Sequence, residues 1–185
     1  MSTAPARREA WVGAVLDFWF ARAKEDWWRP SDAFDDEIRE RFAIEWARQS
    51  RRPVADFTGD AETALAAVVL FDQFPRNMFR GHADQFATDH LALAIAKAGV
   101  DRGLDEQLQQ PERGFLYMPF QHSENLADQK RSLQLFIELG DDYQLGYAQK
   151  HHDVIARFGR FPHRNAILGR APRPSELAEG KVEPW

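Results

Sequence analysis

The chain has 185 residues, 44% of them hydrophobic and 29% charged, with a net charge of −5. A single globular domain is the natural reading, and the acidic balance excludes a general nucleic-acid binder, which needs a basic surface. The sequence has no cysteine, which excludes disulfides and thiol chemistry and fits a cytoplasmic protein.

Arg7-Arg8, the apolar run Trp11–Phe20 and Ala21-Arg22-Ala23 have the outline of a secretory signal. Glu9 and Asp17 place acids where a signal is uncharged, so the segment is read as a helix. No apolar run approaches the ~20 residues that span a bilayer.

Residues 9–23 carry Trp11, Val15, Phe18 and Trp19 on one helical stripe and Val12, Leu16 and Phe20 on its neighbour. Asp17 falls among them and is expected to be buried against an arginine. A second helix opens at Ser31 or Asp32, carries Phe34, Ile38, Phe42 and Trp46 at every fourth residue, and ends at Arg51-Arg52-Pro53. A third runs from Gly59-Asp60, apolar almost all round, and is expected to stop at Phe74-Pro75 because proline cannot continue the ladder.

Asp84 caps a fourth helix that ends by Gly103, with a short helical turn over Leu104–Leu108. Residues 114–118 read as an irregular apolar connection. Pro119 then opens a fifth helix, placing Gln121, His122 and Glu124 in its positive first turns. Gly140 ends it, Asp141 or Asp142 caps the sixth, and Gly159 stops the sixth. A short seventh follows Pro162 and ends at Gly169. Residues 1–171 thus form one helical domain, and 172–185 read as a loosely ordered tail. The fold class is all-α, a bundle or superhelix of about six to eight stacked antiparallel helices. No repeat of about 34 residues is evident. The only internal echo is Phe74-Pro75-Arg76-Asn77 against Phe161-Pro162-His163-Arg164-Asn165.

Four segments carry a family resemblance: Leu16–Phe20; Phe71–Asn77 with Arg80-Gly81 and Phe86–Asp89; Phe115–Glu124; and His151–Arg170. Together they resemble the bacterial domain-of-unknown-function 924 family over roughly residues 12–170. The resemblance implies a tetratricopeptide-repeat-like helical fold and no established activity. After residue 171 the chain departs from the family pattern, which continues with a capped helix; Pro172–Glu176 match it only in part.

The polar residues at helix ends define a candidate site: Arg76, Asn77, His122, Glu124, Arg157, Arg160, His163, Arg164 and Asn165. Planar arginine forks beside a histidine suit a carboxylate or phosphate, so a small anionic molecule or a peptide is the expected partner, with no nucleic acid and no membrane. The arginines serve equally well as a structural latch on buried acids. A third reading makes the chain an enzyme, with His122 or His163 as acid or base and Glu124 orienting it. The histidines lack chelating spacing, so neither a metal nor another cofactor is expected. His151 and His152 read as a solvated helix face, with one of the two turned inward as the alternative.

Overall fold

The computed structural model describes residues 9–180, and its described residues are helical with no strand. The signal-like Arg7-Arg8 and the last five residues of the tail lie outside them. No helix among the described residues is long and apolar enough to cross a membrane.

Helix α1 (Ala10–Phe20) buries both of its apolar stripes. Asp17 is exposed rather than buried, because it falls on the outward arc between Leu16 and Phe18. Helix α2 (Asp32–Gln49) is capped by Ser31, whose Oγ accepts from the Phe34 amide. It buries Phe34, Ile38 and Phe42, while Trp46 is half-buried and donates its indole N–H to Thr88 Oγ1 at 3.1 Å.

Helix α3 (Ala61–Val68), capped by Asp60, is buried almost all round. It does not end at Pro75. A π segment (Val69–Gln73) carries it into α4 (Phe74–Met78), and the Phe74 amide reaches back five residues to the Val69 carbonyl. Pro75 thereby becomes an opening residue of α4, where a missing N–H costs nothing. The carbonyl four residues before it, Phe71, accepts instead from Thr88 Oγ1 at 2.7 Å.

Helix α5 spans Asp89–Asp101, five residues later than the expected cap at Asp84; Ala83–Phe86 form a 3-10 turn before it. The expected turn after Leu104 is a 3-10 helix, Asp105–Gln107. Helix α6 (Glu112–His122) overturns two expectations. Residues 114–118 are its interior, and Pro119 lies within it rather than at its start. Burial of Phe115, Leu116, Tyr117, Met118 and Phe120 outweighs the lost backbone bond. His122 is therefore the last residue of a helix, at its negative end, and Glu124 sits in the loop before α7 (Leu126–Leu139).

Gly140, in the left-handed region that lets the chain reverse, separates α7 from α8 (Asp142–Phe158). After Gly159 there is only a 3-10 turn, Pro162–Arg164, in place of a seventh full helix. The stretch read as a loose tail contains α9 (Pro174–Glu179), whose Glu176 is buried. Adjacent helices stack in sequence: α6 on α5, α7 on α6 and α8 on α7, with α1 against α3 and α2 against α4. Trp19, Phe71, Phe74, Tyr117, Phe115 and Phe136 are among the bulkiest fully buried side chains.

Candidate functional site

The carboxylate of Asp72 lies inside the π segment and is fully buried. It accepts from His122 Nδ1 at 2.7 Å and from Gln73 Nε2 at 2.5 Å, and Arg76 stands 3.4 Å away. Burial alone would favour its neutral form, but Arg76 and His122 outweigh burial and hold it well below the usual carboxylate range. An ionised carboxylate can only accept, so His122 Nδ1 carries the proton and Nε2 is its acceptor nitrogen. Burial in turn lowers the His122 pKa, although Asp72 opposes that shift.

Arg76 spans from Asp72 to Asp89, which it binds through two nitrogens at 2.8 and 3.0 Å. Asp89 sits in the first turn of α5, where a carboxylate is favoured. Arg164 reaches the same cluster. It stands 3.5 Å from Asp89, donates to the His122 carbonyl at 3.1 Å, and lies over the rings of Phe86 and Phe161. That carbonyl is one of those left open by the end of α6, and Gln129 Nε2 satisfies two more, Gln121 and Ser123, at 2.7 Å each. Burial and the nearby Arg76 pull the Arg164 guanidinium down to about 10.

Of these groups, Gln73, Arg76, Gln121 and His122 line a cavity of about 350 Å³, and Asp72, Asp89 and Arg164 support them without lining it. Gln73, Arg76, Asn77 and Arg80 come from the π segment, α4 and the turn after it, and Met118, Gln121 and His122 from α6. Tyr143, Tyr147 and His151 come from α8, and Trp27, Trp28 and Arg29 from the loop after α1. The lining includes three arginines and no carboxylate. Arg80 is paired with Asp35 at 2.6 Å, whereas Arg29 is exposed and makes no ion pair among the described residues. Gln121 is buried, and its amide oxygen has no hydrogen-bond partner among them. His151 donates through Nδ1 to the Tyr147 carbonyl at 2.8 Å, and its ring centre lies 5.9 Å from that of His122. Burial, followed by the charge repulsion of His122, lowers its pKa to about 3.

The residues expected to form one site divide into two groups. Arg76, Asn77 and His122 line the cavity, with Asn77 donating to Asp35 at 2.9 Å, and Arg164 supports His122 through its carbonyl. The others hold the C-terminal segment. Arg157 pairs with Glu179, and Arg160 pairs with Glu176 at 2.6 Å. Asn165 Nδ2 donates to Glu176 at 2.9 Å. Glu124 does not orient His122; it binds Arg170 at 2.7 and 2.9 Å and the Phe161 amide at 2.7 Å. His163 packs beside Phe161 with its pKa pulled to about 4 by burial and Arg164.

Asp72 takes the orienting role expected of Glu124. Asp89, His151, Tyr143 and Tyr147 were missed. Asp89 had a signal, an acid directly after a helix-opening threonine. His151 had none, since neighbouring histidines on a polar helix face look alike. Among the described residues no group of three His, Asp or Glu side chains is arranged to hold a metal ion.

Fold and site together define an all-helical domain with an arginine-rich, aromatic-walled cavity above a buried carboxylate–histidine pair. The chain belongs to the family described as bacterial protein of unknown function DUF924, whose pattern matches residues 15–179. A solved structure of a protein of unknown function from Agrobacterium tumefaciens is similar, with 39% identity and a TM-score of 0.86 over 92% of this chain and 96% of that one. No curated protein matches the chain.

Proposed function

We propose that the cavity binds a small organic anion. The observation that carries this reading is the lining itself, with three arginines and neutral histidines but no carboxylate. Arg76 and Arg80 already have carboxylate partners, so Arg29 is the cation available for direct pairing. Gln121 and the acceptor nitrogen of His122 suit hydroxyl or amide donors on the same molecule. A thermal-shift screen of small carboxylates and phosphates tests the reading. Stabilisation that weakens in Arg29→Ala supports it, and no stabilisation by any anion overturns it. The consecutive stacking of α5 to α8 supports a tetratricopeptide-like packing, and an acidic peptide belongs in the same screen.

A second reading makes the pocket catalytic, with His122 as general base. The 2.7 Å contact to Asp72 favours it, because a buried carboxylate on Nδ1 fixes the tautomer that exposes a basic Nε2. Under this reading His122→Gln retains anion binding and loses turnover of the bound anion. Equal turnover in wild type and variant rejects it.

A further inference from the structure

A second recess, of about 590 Å³, adjoins the anion cavity. The two share Trp27, Trp28, Met118, Tyr143 and Gln144 as common walls, so they lie side by side as two compartments of one cleft region. Their chemistry differs. The first holds the arginines and His122. The second is lined by Phe115, Pro111 and Gly114, with Lys24, Glu25, Gln110 and Asp141 as its polar residues. Asp141 is already engaged as the cap of α8, accepting from the Gln144 amide at 3.0 Å. No arginine lines this recess.

The partition between the compartments is aromatic. Trp28 stacks on Phe115 with an interplanar angle of 5° and a ring separation of 5.9 Å. Trp27 meets Phe115 edge-on at 4.9 Å and is fixed by its indole N–H on the Trp19 carbonyl at 2.9 Å. Trp28 and Tyr143 nevertheless remain 48% and 62% exposed. Both residues line the two recesses, so the cleft carries open aromatic surface on which a flat ring can stack.

We infer that the ligand of this cleft is an arylalkyl carboxylate, with its carboxylate in the arginine chamber and its ring across Trp28 in the second recess. The inference rests on the anion reading above and adds to it the shape and chemistry of the rest of the molecule. The tether crosses the shared wall at Met118 and Gln144, and the ring adds an aromatic layer to the Trp28–Phe115 stack. A phosphate or short carboxylate would fill only the first chamber and leave Trp28 open. Charge without an arm is therefore an incomplete ligand.

The test is a calorimetric titration of the full chain with acetate, phenylacetate, 3-phenylpropionate and 4-phenylbutyrate, and with 4-phenylbutanamide as the uncharged control. The expected result is an affinity that rises about tenfold or more from acetate to the best arylalkyl acid. Trp28→Ala, at an exposed position, removes that gain, so that the best arylalkyl acid binds this variant no tighter than acetate does. Equal affinity along the series, or a gain that survives Trp28→Ala, overturns the inference while leaving the anion reading intact. Amide binding as tight as the acid overturns both, as does a complete absence of binding by any acid.

Discussion

Thr88 Oγ1 donates to the carbonyl of Phe71 at 2.7 Å, supplying the hydrogen that Pro75 cannot. A residue at the start of one helix thus repairs the ladder of another, seventeen positions earlier in the chain. The same hydroxyl accepts from Trp46, so three helices meet at one oxygen. Thr88→Val keeps the shape and leaves a buried carbonyl without a donor. It is expected to cost about 1–3 kcal/mol in urea denaturation, with Thr88→Ser restoring most of the loss. A Val variant of unchanged stability would show that the Phe71 carbonyl finds another partner.

Asp72 is the hinge of the site's electrostatics, and its removal has two expected consequences. Asp72→Asn leaves Arg76 with Asp89 alone and lowers stability by about 3 kcal/mol. It also removes the charge that opposes burial at His122, so the imidazole titration moves to still lower pH. Nitrogen NMR of the histidines reads both the titration and the Nδ1–H tautomer. A His122 titration that moves upward would refute this account of the pair.

Acid should destabilise the fold in a defined window. Burial lowers the pKa of His151 to about 3 from an ordinary value of 6.5, and that of His163 to about 4. The native state therefore binds fewer protons than the unfolded chain, and stability rises with pH across that interval. The contribution is present above pH 6.5 and is lost as pH falls toward 4 and then 3. The Tm of the wild type should drop through this range, and His151→Gln should drop less steeply. Parallel profiles would assign the acid sensitivity elsewhere.

Glu176 accepts from Arg160 at 2.6 and 2.9 Å, from Asn165 at 2.9 Å and from the Arg173 amide at 2.8 Å. Those hydrogen bonds, Arg160 first, lower its pKa to about 2. Glu176→Ala strands four donor groups on three residues and is expected to cost about 2 kcal/mol, while Glu179→Ala, an exposed pair with Arg157, costs under about 0.5 kcal/mol. Comparison of their denaturation midpoints checks the ranking.

The elements with one dominant period were legible from sequence. Phe34, Ile38 and Phe42 repeat at four and lie where that period puts them. The errors share a cause in proline. Pro75 and Pro119 read as a stop and a start, yet both lie within continuous helical paths, one through a π segment and one through burial of its neighbours. Misplacing Pro119 put His122 at the wrong end of its helix and cast Glu124 as its partner. Arg157, Arg160 and Asn165 were expected either to hold an anion or to latch buried acids, and here they bind acids of α9, which the Pro- and Glu-rich composition hid. The long-range contact of Asp72 with His122 has no local signature in the chain.

The π segment has a meaning for how such a site changes over generations. It holds one residue more than a regular α turn, and the wide turn absorbs that residue locally. Arg76, Asn77 and Arg80 all follow it in the chain. Deleting a single codon within residues 69–73 would restore ordinary winding and leave the facing of the three unchanged. Inheritance thus has a one-step route to losing the turn that carries Asp72 without re-aiming the cationic wall.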